Sequence, residues 1–170
     1  MLVVCSYCRR TIFDDPAGGA EVSHGMCPPC AEHFEALWRG MSLSEYLDEL
    51  SLPVLVVNGE GRVVAANERL AKLFGRERAE MSGLLEGEAL ACVNSRLPGG
   101  CGKTVHCREC AIRRSVERVA ATGVALDGVP AYLDTDAGRV DLRISVQAQD
   151  GLVKVVVEEM SPPGSKPEPG

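Results

Sequence analysis

Eight cysteines in two groups constrain this 170-residue chain more than any other feature. The first group is Cys5-Ser-Tyr-Cys8, eighteen residues, then Cys27-Pro-Pro-Cys30. The second runs from Cys92 to Cys110 with the spacing C-x8-C-x5-C-x2-C. No basic segment followed by an apolar run opens the chain, so no signal peptide is read and a cytoplasmic location is expected. In that compartment, clustered cysteines favour metal binding or redox chemistry over structural disulfides. The net charge is −6 and the pI about 5.1. Such a chain has no general attraction for nucleic acid or anionic membranes, and neither is expected as a partner.

Two Cys-x-x-Cys pairs at the first spacing are a strong zinc signal. Each pair makes a tight turn that aims two thiolates at one ion. The polar span between them, with Asp14-Asp15-Pro16 and Gly18-Gly19, is too short to bury its own core. A metal would supply the missing stability, on the order of 10–16 kcal/mol for structural zinc in finger peptides. Cys5, Cys8, Cys27 and Cys30 are therefore the expected ligands of a closed, structural Zn²⁺ site. His24 is read as a surface residue, because four thiolates are already at hand. A small zinc-ribbon-like module over residues 1–34 follows.

Phe34, Leu37, Trp38 and Met41 recur at helical spacing and form one apolar stripe. Ser42 and Glu45 make a capping box for a second helical stretch after Gly40. Residues 35–51 are thus read as a linker helix. It would pack on its own chain or pair with a second copy.

Residues 52–161 read as an α+β domain. Pro53–Asn58 has the length and β-branched content of a buried strand, Asn58-Gly59-Glu60-Gly61 turns the chain, and Arg62–Ala66 returns. Asn67 caps a short helix ended by Gly75. Short helices are expected over Arg76–Met81 and Gly83–Val93, and a longer one over Ala111–Ala121 with Ile112, Val116 and Val119 inward. A strand over Ala125–Asp134 is expected to break near Pro130. Arg139–Gln149 alternates cleanly, which predicts a strand with one wet face. Asp150-Gly151 turns into a partner strand over Leu152–Met160. The proline-rich tail, 162–170, is expected to be disordered.

The loop 92–110 contains Pro98-Gly99-Gly100-Cys101-Gly102, which holds no regular structure. Three readings compete for Cys92, Cys101, Cys107 and Cys110. They could hold an iron–sulfur cluster of the [4Fe–4S] type or a second Zn²⁺. Cys107-Arg-Glu-Cys110 could instead act as a thiol–disulfide switch, with Lys103, His106 and Arg108 lowering a thiol pKa. Spacing alone leaves these open. Covalent haem needs Cys-x-x-Cys-His, whereas the three pairs here are followed by Arg9, Ala31 and Ala111. His106 is the only histidine in the domain for a non-covalent haem, and it sits among cysteines. No Walker loop, H-E-x-x-H, G-x-S-x-G or kinase set occurs, so catalysis is not expected and no catalytic residue is assigned.

Two resemblances add to this. Cys5-Ser-Tyr-Cys8-Arg-Arg, Asp14-Asp15 and Ser23-His24-Gly25-Met26-Cys27-Pro28-Pro29-Cys30 resemble a small cysteine module that accompanies bacterial histidine kinases and response regulators. Leu52–Asn58 with Gly59–Gly61, Arg62–Asn67, the helix to Phe74-Gly75, and Val156–Ser161 resemble a PAS domain. That resemblance implies a five-stranded antiparallel sheet with helices on one face, and a ligand or cofactor held between them. Ala91-Cys92-Val93-Asn94 does not match the flavin-attaching run of the light-sensing branch. The Gly-Cys-Gly run followed by Cys-x-x-Cys resembles a cysteine-bearing subset of sensor-kinase PAS domains. The implied function is a bacterial signal-transduction sensor. It would act through a histidine kinase or response regulator partner, or as a homodimer. The competing expectation is a zinc-stabilised adaptor without sensing activity.

Overall fold

A computed structural model describes residues 1–19 and 21–162. The expected disorder of the tail falls almost wholly on residues outside that range.

The N-terminal unit is a three-stranded sheet. Strands β1 (Leu2–Cys5), β2 (Thr11–Asp14) and β3 (Val22–Gly25) lie in the order β2-β1-β3, with β1 and β3 parallel. Helix α1 (Pro28–Trp38) starts inside the second cysteine pair. Pro28 and Pro29 fill its first positions, where a missing N–H costs nothing. Residues 35–51, read above as one linker, hold the end of α1, a turn, and α2 (Leu43–Glu49). Gly40 turns left-handed between the helices (φ 77°). The capping box forms as expected: Ser42 Oγ accepts from Glu45 N–H, and the Glu45 carboxylate accepts from Ser42 N–H at 2.8 Å.

The apolar stripe of α1 is covered only in part, with Phe34 against Tyr7 and Met41 against the second core. Trp38 is 87% exposed and Leu37 is also exposed, while Cys30, His33 and Ala36 form the buried side. The cysteine pair sets the helix's rotation, and this overrides the hydrophobic periodicity.

The remaining residues form a five-stranded antiparallel sheet. Strands β4 (Val54–Val57), β5 (Val63–Ala66), β6 (Leu126–Thr135), β7 (Gly138–Gln149) and β8 (Leu152–Met160) lie in the order β5-β4-β8-β7-β6. Helices α3 (Glu68–Leu73), α4 (Arg78–Met81), α5 (Glu86–Ala89) and α6 (Ala111–Thr122) cross between β5 and β6. Leu55, Val57, Ile144, Val146, Val153 and Val155 pack against Leu70, Met81, Leu90 and the inward Ile112, Val116 and Val119 of α6. Gly123, in the left-handed conformation, ends α6. Asp150 (φ 51°) and Gly151 (φ 75°) turn β7 into β8, a pair of positive φ values that suits Asp-Gly.

Asn67 ties this frame together. Its Oδ1 accepts from Val54 and Leu70 N–H, and its Nδ2 donates to the Leu47 and Leu52 carbonyls. One fully buried amide thus joins β4, α3 and α2.

Two strand expectations change. The irregularity in β6 lies between Leu126 and Val129, not at Pro130. Pro130 is paired opposite Arg143 and is tolerated because β6 is an edge strand. The outer face of β7 is not wet where it matters. Ser145, Gln147 and Gln149 are buried, because the N-terminal unit covers that side of the sheet. Arg10 pairs with Asp127 at 2.7 Å, and the Cys8 carbonyl accepts from Ala125 N–H. His33 approaches Asp150 at 3.4 Å. Val54, Val56, Tyr46, Leu47 and Ala36 form a second apolar core beneath.

Candidate metal centres

The two cysteine groups differ in geometry. In the first, β1 runs directly into Cys5, the turn carries Cys8, and Cys27 and Cys30 flank the start of α1. All four are buried, and their sulfurs lie within 4.8 Å of one another. Among the described residues no other set of three or more cysteine, histidine or acidic groups converges in this way. Cys8 Sγ and Cys27 Sγ are 3.6 Å apart. A tetrahedral zinc with bonds of about 2.3 Å sets its thiolates about 3.8 Å apart. The donor set therefore fits one tetrahedral, soft-ligand ion.

The protonation of this quartet shows why it needs a cation. Burial pushes the Cys5 thiol up, but the N–H groups of Cys27, Cys8 and Tyr7 outweigh it and bring Cys5 down to about 6. Burial and the adjacent sulfurs push Cys30 well up. Burial raises Cys8 too. One thiolate is stabilised and its neighbours then resist ionising, because like charges crowd the site. A divalent ion removes that conflict by displacing the protons. His24 is exposed, as expected, on β3.

The second group is more open. Cys92 follows α5, Cys101 lies in the glycine-rich loop, Cys107 sits in a 3-10 turn over Val105–Glu109, and Cys110 caps α6. All four line one cavity of about 650 Å³ counting its mouth, together with Glu86, Leu90, His106, Tyr132 and Ile112. Among the described residues, no three of these sulfurs lie within 4.8 Å of one another, as those of the first group do.

The local chain explains the shape. Gly99, Gly100 and Gly102 take positive φ values of 94°, 73° and 85° and fold the loop back over α5. Gly87 on α5 leaves room for it: a Cβ there would lie 2.6 Å from Cys101 Sγ. Cys107 Sγ accepts from Gly102 N–H at 3.2 Å and meets Thr104 Oγ1 at 3.1 Å. Burial alone would raise Cys107, but these Thr104 and Gly102 bonds, with Arg113 nearby, lower it. Burial pushes Cys101 up to about 11 and raises Cys110.

Thr104, Gly102 and Arg113 act on Cys107, and no motif in the sequence marks them. Glu86 was also not singled out. It is 2% exposed, neither oxygen has a hydrogen-bond partner among the described residues, and burial pushes it up to about 7 against the pull of Arg113.

A family model described as the PAS fold matches residues 47–146. The chain belongs to the PAS fold family. Among solved structures, it is similar to the photoactive yellow protein domain of the sensor histidine kinase Ppr from Rhodospirillum centenum. That likeness has a TM-score of 0.50 and 18% identity, covering 71% of this chain and 96% of that one. It is also similar to a domain of a sensory box sensor histidine kinase/response regulator from Geobacter sulfurreducens. There the TM-score is 0.50 at 17% identity, covering 76% of this chain and 96% of that one. At these identities the likeness concerns the PAS fold. No curated protein matches the sequence. No helix among the described residues is long and apolar enough to cross a membrane.

Proposed function

We propose that this PAS protein is a non-catalytic, cytoplasmic sensor module with two inorganic centres of different purpose. The first quartet holds a structural Zn²⁺. The second quartet, Cys92, Cys101, Cys107 and Cys110, holds a thiolate-bound iron–sulfur cluster. The observation that carries this reading is the contrast in spacing. Four cysteines lining one cavity, no three of whose sulfurs converge within 4.8 Å, suit a centre whose irons are themselves spread apart. The N–H and O–H bonds to Cys107 are of the kind that tunes such a centre. Loss or oxidation of the cluster would release the glycine-rich loop and the N-terminus of α6. The signal would then leave through a partner of the histidine kinase or response regulator type, or through a second copy of the chain.

The test is the spectrum and metal content of protein purified without oxygen. Broad absorbance near about 400 nm that bleaches in air, with one zinc retained, is the expected result. A colourless protein with two zinc ions per chain replaces the sensor with an adaptor stapled at both ends. A colourless protein with one zinc and an air-formed Cys107–Cys110 disulfide replaces it with a thiol switch.

A further inference from the structure

Lys154 stands at the middle of β8, between Val56 of β4 and Gln147 of β7, on the outer face of the sheet. It is 6% exposed, and its ammonium makes no hydrogen bond or ion pair among the described residues. Two clefts flank it. One is walled by Arg10 and Pro29, the other by His33 and Leu37. Arg10 follows Cys8 by two residues, Pro29 lies inside the Cys27–Cys30 pair, and His33 is a turn beyond Cys30. Lys154 therefore shares both clefts with residues that lie next to the cysteine turns.

A buried ammonium without a counter-charge is costly. The acidic groups along these clefts are engaged elsewhere: Asp127 with Arg10, Asp150 with His33, and Glu158 with Ser145. Among the described residues, the Nε2 atoms of Gln147 and Gln149 and the Nε of Arg10 are themselves donors without acceptors. The seam between the outer face of the sheet and the N-terminal unit thus holds a positive charge and spare donors.

We propose that Lys154 is the counter-charge of the metal site at Cys5, Cys8, Cys27 and Cys30, so that the PAS sheet completes a site whose ligands all lie outside it. The proposal rests on the reading of that quartet as a metal centre. A divalent ion with four thiolates carries a net charge of roughly −2. In a buried setting that charge favours a facing cation. Burial lowers Lys154, while the sulfurs of Cys30, Cys8 and Cys27 favour its charged form. Without metal, crowding keeps the four sulfurs from all being charged together, and Lys154 is less fully compensated. Metal occupancy then decides how firmly the N-terminal unit sits on β8.

The experiment uses the full chain with Lys154→Met and Lys154→Arg. Zinc affinity is measured by chelator competition, and thermal melts are recorded with and without zinc. Lys154→Met is expected to weaken zinc binding about 10–100-fold, the range for residues that support ligands from behind. The same change is expected to raise the melting temperature of metal-free protein, because it removes a buried charge. Lys154→Arg keeps zinc affinity near that of the parent. Opposite signs in the two measurements are the signature of charge compensation. Unchanged affinity in Lys154→Met overturns the proposal. So does a parallel loss of affinity and metal-free stability in both variants, which marks Lys154 as a packing residue. Parent protein that takes up no zinc at the quartet overturns the metal reading itself, before any variant is made.

Discussion

The two cysteine quartets use the same chemistry on opposite foundations. The first is buried, closed and rigid, with its sulfurs brought together by two turns and a helix start. The second is half-exposed and open, held on a loop whose glycines do the bending. A closed set of thiolates has nowhere to admit a reactant, so it serves stability. An open set at the mouth of a cavity is within reach of reactants. The difference lies in what surrounds the sulfurs rather than in the sulfurs.

The comparison breaks first at Cys27→Ser. This change is expected to abolish zinc binding at the first site, a loss on the order of 10 kcal/mol of metal-linked folding energy. Residues 1–30 should become protease-sensitive while the PAS sheet still melts cooperatively. Loss of both centres together would show that they are not independent. Cys101→Ser is expected to remove the visible absorbance and leave one zinc per chain, measured by elemental analysis. Gly87→Ala sharpens the contrast more gently. Its Cβ would meet Cys101 Sγ at 2.6 Å, and overpacking of this kind costs about 1–3 kcal/mol. Faster bleaching of the second centre with unchanged zinc affinity at the first is the expected readout.

The smallest effect concerns the seam between the two regions. Burial lowers His33, with Asp150 opposing. A histidine held below its unfolded value contributes stability that is present above about pH 6.5 and lost as pH falls toward its folded value. Protection of residues 28–38 against hydrogen exchange should therefore weaken on acidification below that point. His33→Gln should flatten the dependence, and an unchanged slope would remove His33 from the account.

Much of the frame was legible because local signals agreed. Ser42 and Glu45, Asn67, Gly123 and Asp150-Gly151 each demand one local geometry, and each adopts it. The first quartet was legible for the same reason, since two Cys-x-x-Cys turns leave their sulfurs few other arrangements. What periodicity could not supply was rotation and cover. The Phe34–Met41 stripe left open what it packs against; Leu37 and Trp38 stay exposed while Cys30 and His33 lie on the buried side of α1. The polar face of β7 was read as wet, because nothing in Ser145, Gln147 or Gln149 announces that a distant segment lies over them. Glu86, Arg113, Thr104 and Lys154 were invisible for a related reason. Their significance comes from neighbours far along the chain.

The edges of the five-stranded sheet bear on how this molecule meets others. One border is β5, only four residues long. The other is β6, interrupted between Leu126 and Val129 and carrying Pro130, which has no N–H to offer. Both borders are poor templates for an incoming strand. Growth of the sheet from molecule to molecule is thereby discouraged, and recognition is left to side chains on helices and loops.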